Sequence, residues 1–197
     1  MFTQYSAHFK RPMVIIYPGE FHVSSTDIIA TVLGSCIAVC IKDMKTGLGG
    51  MNHFMLPGDV RSTGIFLSSS AKYGMFAMEQ LINELLKKNG SKKDFVAKVF
   101  GGGHVLNVRK TDGSVPESNI EFVKAFLAME QIPVVKQDVG GYTGRKILFF
   151  PDTAKVLLKR LESTVDSKII QAEQSYKSKL FKEKEKLQRT GGDLTLF

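Results

Sequence analysis

The chain has 197 residues and a mass of 21.8 kDa, room for one domain of ordinary size and an appendage but not for two enzyme domains. Hydrophobic residues make up 43% and charged residues 23%, the balance of a folded globular chain, which excludes wholesale disorder. Lys and Arg outnumber Asp and Glu by 27 to 19, for a net charge of +8; the sign admits nucleic acid or an acidic protein surface, but the basic residues are spread along the chain without an RNA-binding aromatic signature or zinc-finger spacing, so a solvated basic surface and no nucleic-acid partner are expected.

No apolar run reaches the roughly 18 residues that cross a bilayer, and Met1 to Pro12 has no segment resembling a secretion signal. A cytoplasmic protein with no direct membrane insertion is therefore expected. Cys36 and Cys40 lie four apart and cannot build a disulfide scaffold, so both are expected as free thiols.

In chain order, Met13-Val14-Ile15-Ile16-Tyr17 is a β-branched run closed by Pro18-Gly19, a strand and a turn. The following stretch reads as a helical or irregular bridge. Cys36 to Lys42 is a continuous apolar run of strand length, and after the Lys45-Thr46-Gly47 turn Leu48 to Leu56 reads as its hairpin partner. Between Ser68 and Asn89 the period changes, with Met75, Met78, Ile82 and Leu85 on one helical face beside Leu81 and Leu86, and Gly90 ends the helix. Val96 to Phe100 is a buried strand running into Gly101-Gly102-Gly103. Ser118 with Glu121 has the pattern of a capping box and predicts a second helix carrying Ile120, Val123, Phe126 and Leu127 inward, stopped by Pro133. Val134-Val135, Lys146 to Phe150 and Lys155 to Leu161 complete at least six strands. Tight turns join several of them, which predicts an α+β fold with mixed or antiparallel β-sheets and flanking helices. Past residue 162 the composition shifts to Glu, Lys, Gln and Ser. The chain thus divides into a domain over 1–162 and a charged, helical tail over 163–197 whose sparse apolar residues are expected to pack on the domain or on a partner.

The chemistry concentrates in Thr31-Val32-Leu33-Gly34-Ser35-Cys36, followed 17 residues later by His53. A thiol is a nucleophile only as thiolate, and a histidine within reach is the commonest means of generating it. With Cys36 at the start of one strand and His53 on its neighbour, the two meet across the pair. Gly34 and Ser35 suit a tight turn whose N–H groups hold an oxyanion. Composition alone leaves a competing reading, a small core cysteine and a hydrogen-bonded structural histidine. A zinc site is disfavoured: Cys36 and Cys40 on one strand face, at ~3.3 Å per residue, stand too far apart for one tetrahedral ion. Neither Gly101-Gly102-Gly103-His104 nor the segment from Gly140 to Lys146 has the spacing of a nucleotide loop, so no cofactor is expected.

The stretch from Leu33 to Val39, with Asn52-His53-Phe54-Met55-Leu56-Pro57, resembles the chemoreceptor glutamine deamidase CheD family. Further matches are Ala77-Met78-Glu79, Phe100-Gly101-Gly102, Asn119-Ile120, Asp138-Val139-Gly140-Gly141, Gly144-Arg145-Lys146 and Phe149 to Thr153. The resemblance covers roughly residues 10 to 162. It implies a Cys-His-Thr triad of Cys36, His53 and Thr31, with Gly34 and Ser35 supporting the nucleophile loop, and hydrolysis of protein glutamine side chains to glutamate through a thioester. It also implies the cytoplasmic helices of methyl-accepting chemotaxis receptors as substrate, location at receptor arrays, and in some bacteria a CheC-like phosphatase as partner. Gly103-His104 and Val115 to Ser118 depart from the family pattern, which bears on substrate preference, and His104 is left as a loop residue. The alternatives are another cysteine hydrolase acting on a protein, or a non-catalytic binding module of the array.

Overall fold

The computed structural model describes residues 1–58, 65–105 and 115–161, and in the tail residues 171, 175–176, 178–180 and 182. The strands are β1 (Phe2–Ser6), β2 (Arg11–Ile15), β3 (Glu20–Ser24), β4 (Ile28–Leu33), β5 (Ile37–Asp43), β6 (Gly49–Phe54), β7 (Phe95–Gly101), β8 (Val134–Val139), β9 (Arg145–Phe150) and β10 (Lys155–Arg160). Helix α1 (Ser69–Lys87) lies between β6 and β7, and α2 (Val115–Met129) between β7 and β8. One sheet has the order β1-β2-β4-β9-β10, the other β3-β6-β5-β7-β8. Only the β2–β4 and β7–β8 pairs are parallel among the described strands. The fold is α+β with mixed sheets, as the turn pattern predicts.

The side chains of β5 show how the layers stack. Cys36, just before the strand, and Ala38 and Cys40 within it belong to the cluster that joins the two sheets, with Ile29, Leu33, Ile147 and Phe149 opposite. Ile37, Val39 and Ile41 project the other way, into the cluster formed with Met78, Leu81 and Leu85 of α1 and Phe122 and Phe126 of α2. A strand buried on both faces has no reason to alternate apolar with polar, which is why this segment reads as an uninterrupted apolar run. The sheets are thus face to face, with the helices on the outer side of the second.

The structure departs from the residue pattern at several points. The stretch after Gly19 is neither helical nor irregular: it forms β3 and β4, separated by a turn in which the Ser24 hydroxyl accepts from the N–H groups of Thr26 and Asp27. Ser118 does not begin the second helix. It lies fully buried inside α2, whose described residues run from Val115 to Met129. The strand at the N-terminus is also absent from the sequence reading; β1 is an exposed edge with no apolar period to reveal it. Helix α1 agrees closely with its periodicity: the Ser68 side chain caps it by accepting from the Ala71 N–H, and Gly90 follows its end. Leu86, however, is exposed.

In the tail, residues 171, 175–176, 178–180 and 182 are helical. Leu180 is buried, and Tyr176 packs against the inter-sheet cluster, its ring directly over Gly19. Most of the predicted helix lies outside the described residues.

Candidate active site

The short segment Gly34-Ser35-Cys36, between the end of β4 and the start of β5, carries the chain from the first sheet to the second. This places Thr31 and Cys36, five residues apart, on facing sheets. Thr31 lies on β4 in the inward series with Ile29 and Leu33. Across the second sheet, Ala38 of β5 pairs with His53 of β6. Cys36 is two residues before Ala38 on the same face, so thiol and imidazole are diagonal neighbours across an antiparallel pair, the distance over which longer side chains touch.

The imidazole is held by the other sheet. Thr31 Oγ1 donates to the Ile16 carbonyl at 2.7 Å and lies 2.8 Å from His53 Nδ1. A hydroxyl has one proton, and here it is committed to Ile16, so the hydroxyl meets the ring as acceptor and Nδ1 carries the hydrogen. In the neutral ring Nε2 is then the basic nitrogen. His53 is further fixed through its carbonyl, which accepts from the Gly19 N–H at 2.7 Å. Thr31, Cys36 and His53 are all buried, with Cys36 at 0% exposure.

The Gly34-Ser35-Cys36 loop is seated by glycines. The Gly102 N–H donates to the Cys36 carbonyl and the Gly103 N–H to the Gly34 carbonyl, each at 2.7 Å. Gly101 has φ +116, and a Cβ there would lie 2.1 Å from the Cys36 carbonyl oxygen, so no side chain fits. Buried Arg145 of β9 braces this turn, donating to the Gly101 and Gly140 carbonyls at 2.5 Å and to that of Asp138 at 3.1 Å. Burial pushes the Arg145 guanidinium below its ordinary range, while the carboxylate of Asp138 favours the charged form. On α2, Asn119 bonds both to Ser35 and to Leu56. Arg145 and Asn119 enter the sequence reading only as matches to the family pattern; a fully buried amide and guanidinium are signals of a role that become visible once burial is known.

Both cysteines are buried. Cys40 lies deep between the sheets, and burial pushes its thiol far above the ordinary range, outweighing the nearby Lys98. His104 is apart from this cluster: its backbone N–H bonds to the Gly141 carbonyl, its ring pairs with Glu117 at 2.6 Å and stands against exposed Tyr142. Asn52, next to His53 but on the opposite face, accepts from the Val39 N–H and donates to the Ala77 carbonyl, tethering α1.

A thiol, an imidazole with its tautomer set by a hydroxyl, and a tight turn at the thiol form the kind of arrangement that cysteine hydrolases use. The model of the CheD chemotactic sensory transduction family matches residues 55–160. The chain is 46% identical over 172 residues to the probable chemoreceptor glutamine deamidase CheD of Paraburkholderia xenovorans, covering 87% of this chain and 68% of that protein. It is 42% identical over 194 residues to probable chemoreceptor glutamine deamidase CheD 1 of Shewanella oneidensis, covering 98% and 91%. With the corresponding protein of Thiobacillus denitrificans the identity is 45% over 177 residues, covering 89% and 87%. The chain belongs to the CheD family. Among solved structures, that of the hypothetical protein YfiH from Bacillus licheniformis is similar at a TM-score of 0.33 and 14% identity, over 58% of this chain and 46% of that one. Likeness at that level fixes neither fold nor activity. No described helix is long and apolar enough to cross a membrane.

Proposed function

We propose that this chain hydrolyses glutamine side chains of chemoreceptors to glutamate, with Cys36 as nucleophile, His53 as general base and acid, and Thr31 as the group that orients the imidazole. The names of its relatives support the substrate, and the 2.8 Å contact between Thr31 and His53, on the face shared with Cys36, carries the assignment of roles.

His53 Nε2 takes the Cys36 proton, and the thiolate adds to the carboxamide carbon. The oxygen of the tetrahedral intermediate becomes an oxyanion, for which backbone N–H groups at Ser35 and Cys36 are the donors. As the intermediate collapses, the C–N bond breaks and the imidazolium gives its proton to the departing nitrogen, releasing ammonia and leaving a thioester. Water, deprotonated by the same nitrogen, cleaves the thioester to glutamate and restores the thiol. Throughout, Thr31 keeps Nδ1–H as a donor, so the nitrogen facing the chemistry is the one that exchanges protons.

Cys36 has no exposed surface in this conformation. A glutamine from another polypeptide therefore reaches it only when the covering segments part, a gating step of the kind that often limits turnover. The substrate class is the cytoplasmic helical region of methyl-accepting receptors, at the receptor array, and a CheC-like phosphatase is the further partner implied by the resemblance. Incubation with a purified receptor cytoplasmic fragment tests the reading: ammonia is released, and specific glutamines gain the mass of an amide-to-acid conversion. Cys36→Ala abolishes both. Backbone cleavage, amine incorporation, or undiminished release by Cys36→Ala would overturn it.

A further inference from the structure

The three successive carbonyls of the nucleophile loop are each held. Those of Gly34 and Cys36 accept from backbone N–H groups of Gly103 and Gly102. The middle one, Ser35, accepts from a side chain 84 residues away, the Asn119 amide at 2.9 Å. The other end of that amide accepts the Leu56 N–H at 2.8 Å, two residues past the end of the strand that carries His53. Asn119 is fully buried on α2. Its orientation is unambiguous, because the Leu56 N–H can only donate and the Ser35 carbonyl can only accept.

We propose that Asn119 is a positioning residue: through the Ser35 carbonyl it aims and polarises the Cys36 N–H that stabilises the oxyanion. This rests on the deamidase reading above. In a planar trans peptide the C=O of Ser35 and the N–H of Cys36 point in opposite directions, so a bond that fixes one fixes the other. A donor at the carbonyl also strengthens the N–H across the same peptide as a donor, because linked hydrogen bonds polarise one another. By holding Leu56 at its other end, the same amide ties the Cys36 loop and the exit of the His53 strand to one point on α2. Neither backbone bond flanking it is open to side-chain substitution, which makes Asn119 the place where this loop can be tested.

The experiment compares wild type, Asn119→Asp and Asn119→Ala on the receptor cytoplasmic fragment, with iodoacetamide alkylation of Cys36 as a second readout. Asn119→Asp keeps the acceptor for Leu56 and, as the carboxylate, loses the donor to Ser35, so kcat is read over a pH series that carries the aspartate through ionisation. Removal of a whole oxyanion donor costs roughly 100-fold or more in kcat, so a misaimed one is expected to cost about 10- to 100-fold. KM stays within about twofold, since the loss is confined to the transition state. Alkylation forms no oxyanion, so its rate and pH profile at Cys36 stay those of wild type. Unchanged kcat overturns the proposal, as does a fall in kcat that is matched by a slower or pH-shifted alkylation, which would assign Asn119 to the thiol instead. If the aspartate variant does not fold, Asn119→Ala is read by the same split; if neither shows a cooperative melt, the role is structural and the proposal fails. A wild-type chain that releases no ammonia sinks the deamidase reading first, and the positioning role with it.

Discussion

One proton decides the state of the imidazole. Because the Thr31 hydroxyl gives its hydrogen to the Ile16 carbonyl, it can only accept from His53 Nδ1. Thr31→Val keeps the shape and removes this acceptor, and kcat on the receptor fragment is expected to fall by roughly 10²- to 10³-fold, within the range for loss of a positioned proton-transfer group. It also strands the buried Ile16 carbonyl, so thermal unfolding should show a loss of about 1–3 kcal/mol. Thr31→Ser restores most of both; a valine variant as active as wild type would remove threonine from the mechanism. The cysteines give a second residue-level test. A thiol pushed up by burial holds almost no thiolate at neutral pH. Peptide mapping after iodoacetamide treatment is thus expected to find the label on Cys36 and none on Cys40 until the chain unfolds.

At the scale of elements, the hairpin between β5 and β6 is closed by Asp43. Its buried carboxylate accepts from the N–H groups of Lys45 and Thr46 and, across to the segment before β7, from that of Ser91. Burial alone would raise its pKa, but these backbone donors hold it below the ordinary 3.8. A carboxyl with a depressed native pKa contributes stability that is full above the unfolded value and is lost as the pH falls through the native one. The melting temperature of wild type should therefore drop below about pH 4 more steeply than that of Asp43→Asn, the two curves converging in acid. Parallel curves would show that Asp43 titrates alike in both states. The same hairpin shows how much of an element is readable: turn, strand length and pairing follow from Lys45-Thr46-Gly47 and the apolar runs on either side. The start of α2 did not follow, because a serine and a glutamate three apart mark a cap only if they lie at a helix end, and Ser118 lies inside.

Across the whole molecule, the tail is not separate from the domain. Leu180 is buried, and Tyr176 lies on the inter-sheet cluster that contains Cys36. Leu180→Ala should destabilise the chain by about 2 kcal/mol, the low end for a buried leucine. For a chain of this length that is a fall of roughly 4–8 °C in Tm. No change in Tm would mean that the tail contributes nothing to the folded domain.

Much of this could be read from the residues in order. The period of α1, the two-faced apolar run of β5, the glycine turns and the hairpin that sets Cys36 just before one strand and His53 on its neighbour are all local, set by spacing and chemistry within a few residues. The family too was legible in the motifs around those positions. What the chain order could not contain is which surfaces meet. Short strands such as β3 and β4 have no period long enough to distinguish them from irregular chain, and their identity comes from the partners they find. The contact of Thr31 with His53 depends on one sheet packing over another. Asn119 and Arg145 act across 84 and 44 residues of sequence respectively. A buried polar side chain is placed by whichever distant backbone groups it must satisfy, and those are chosen only when the layers close.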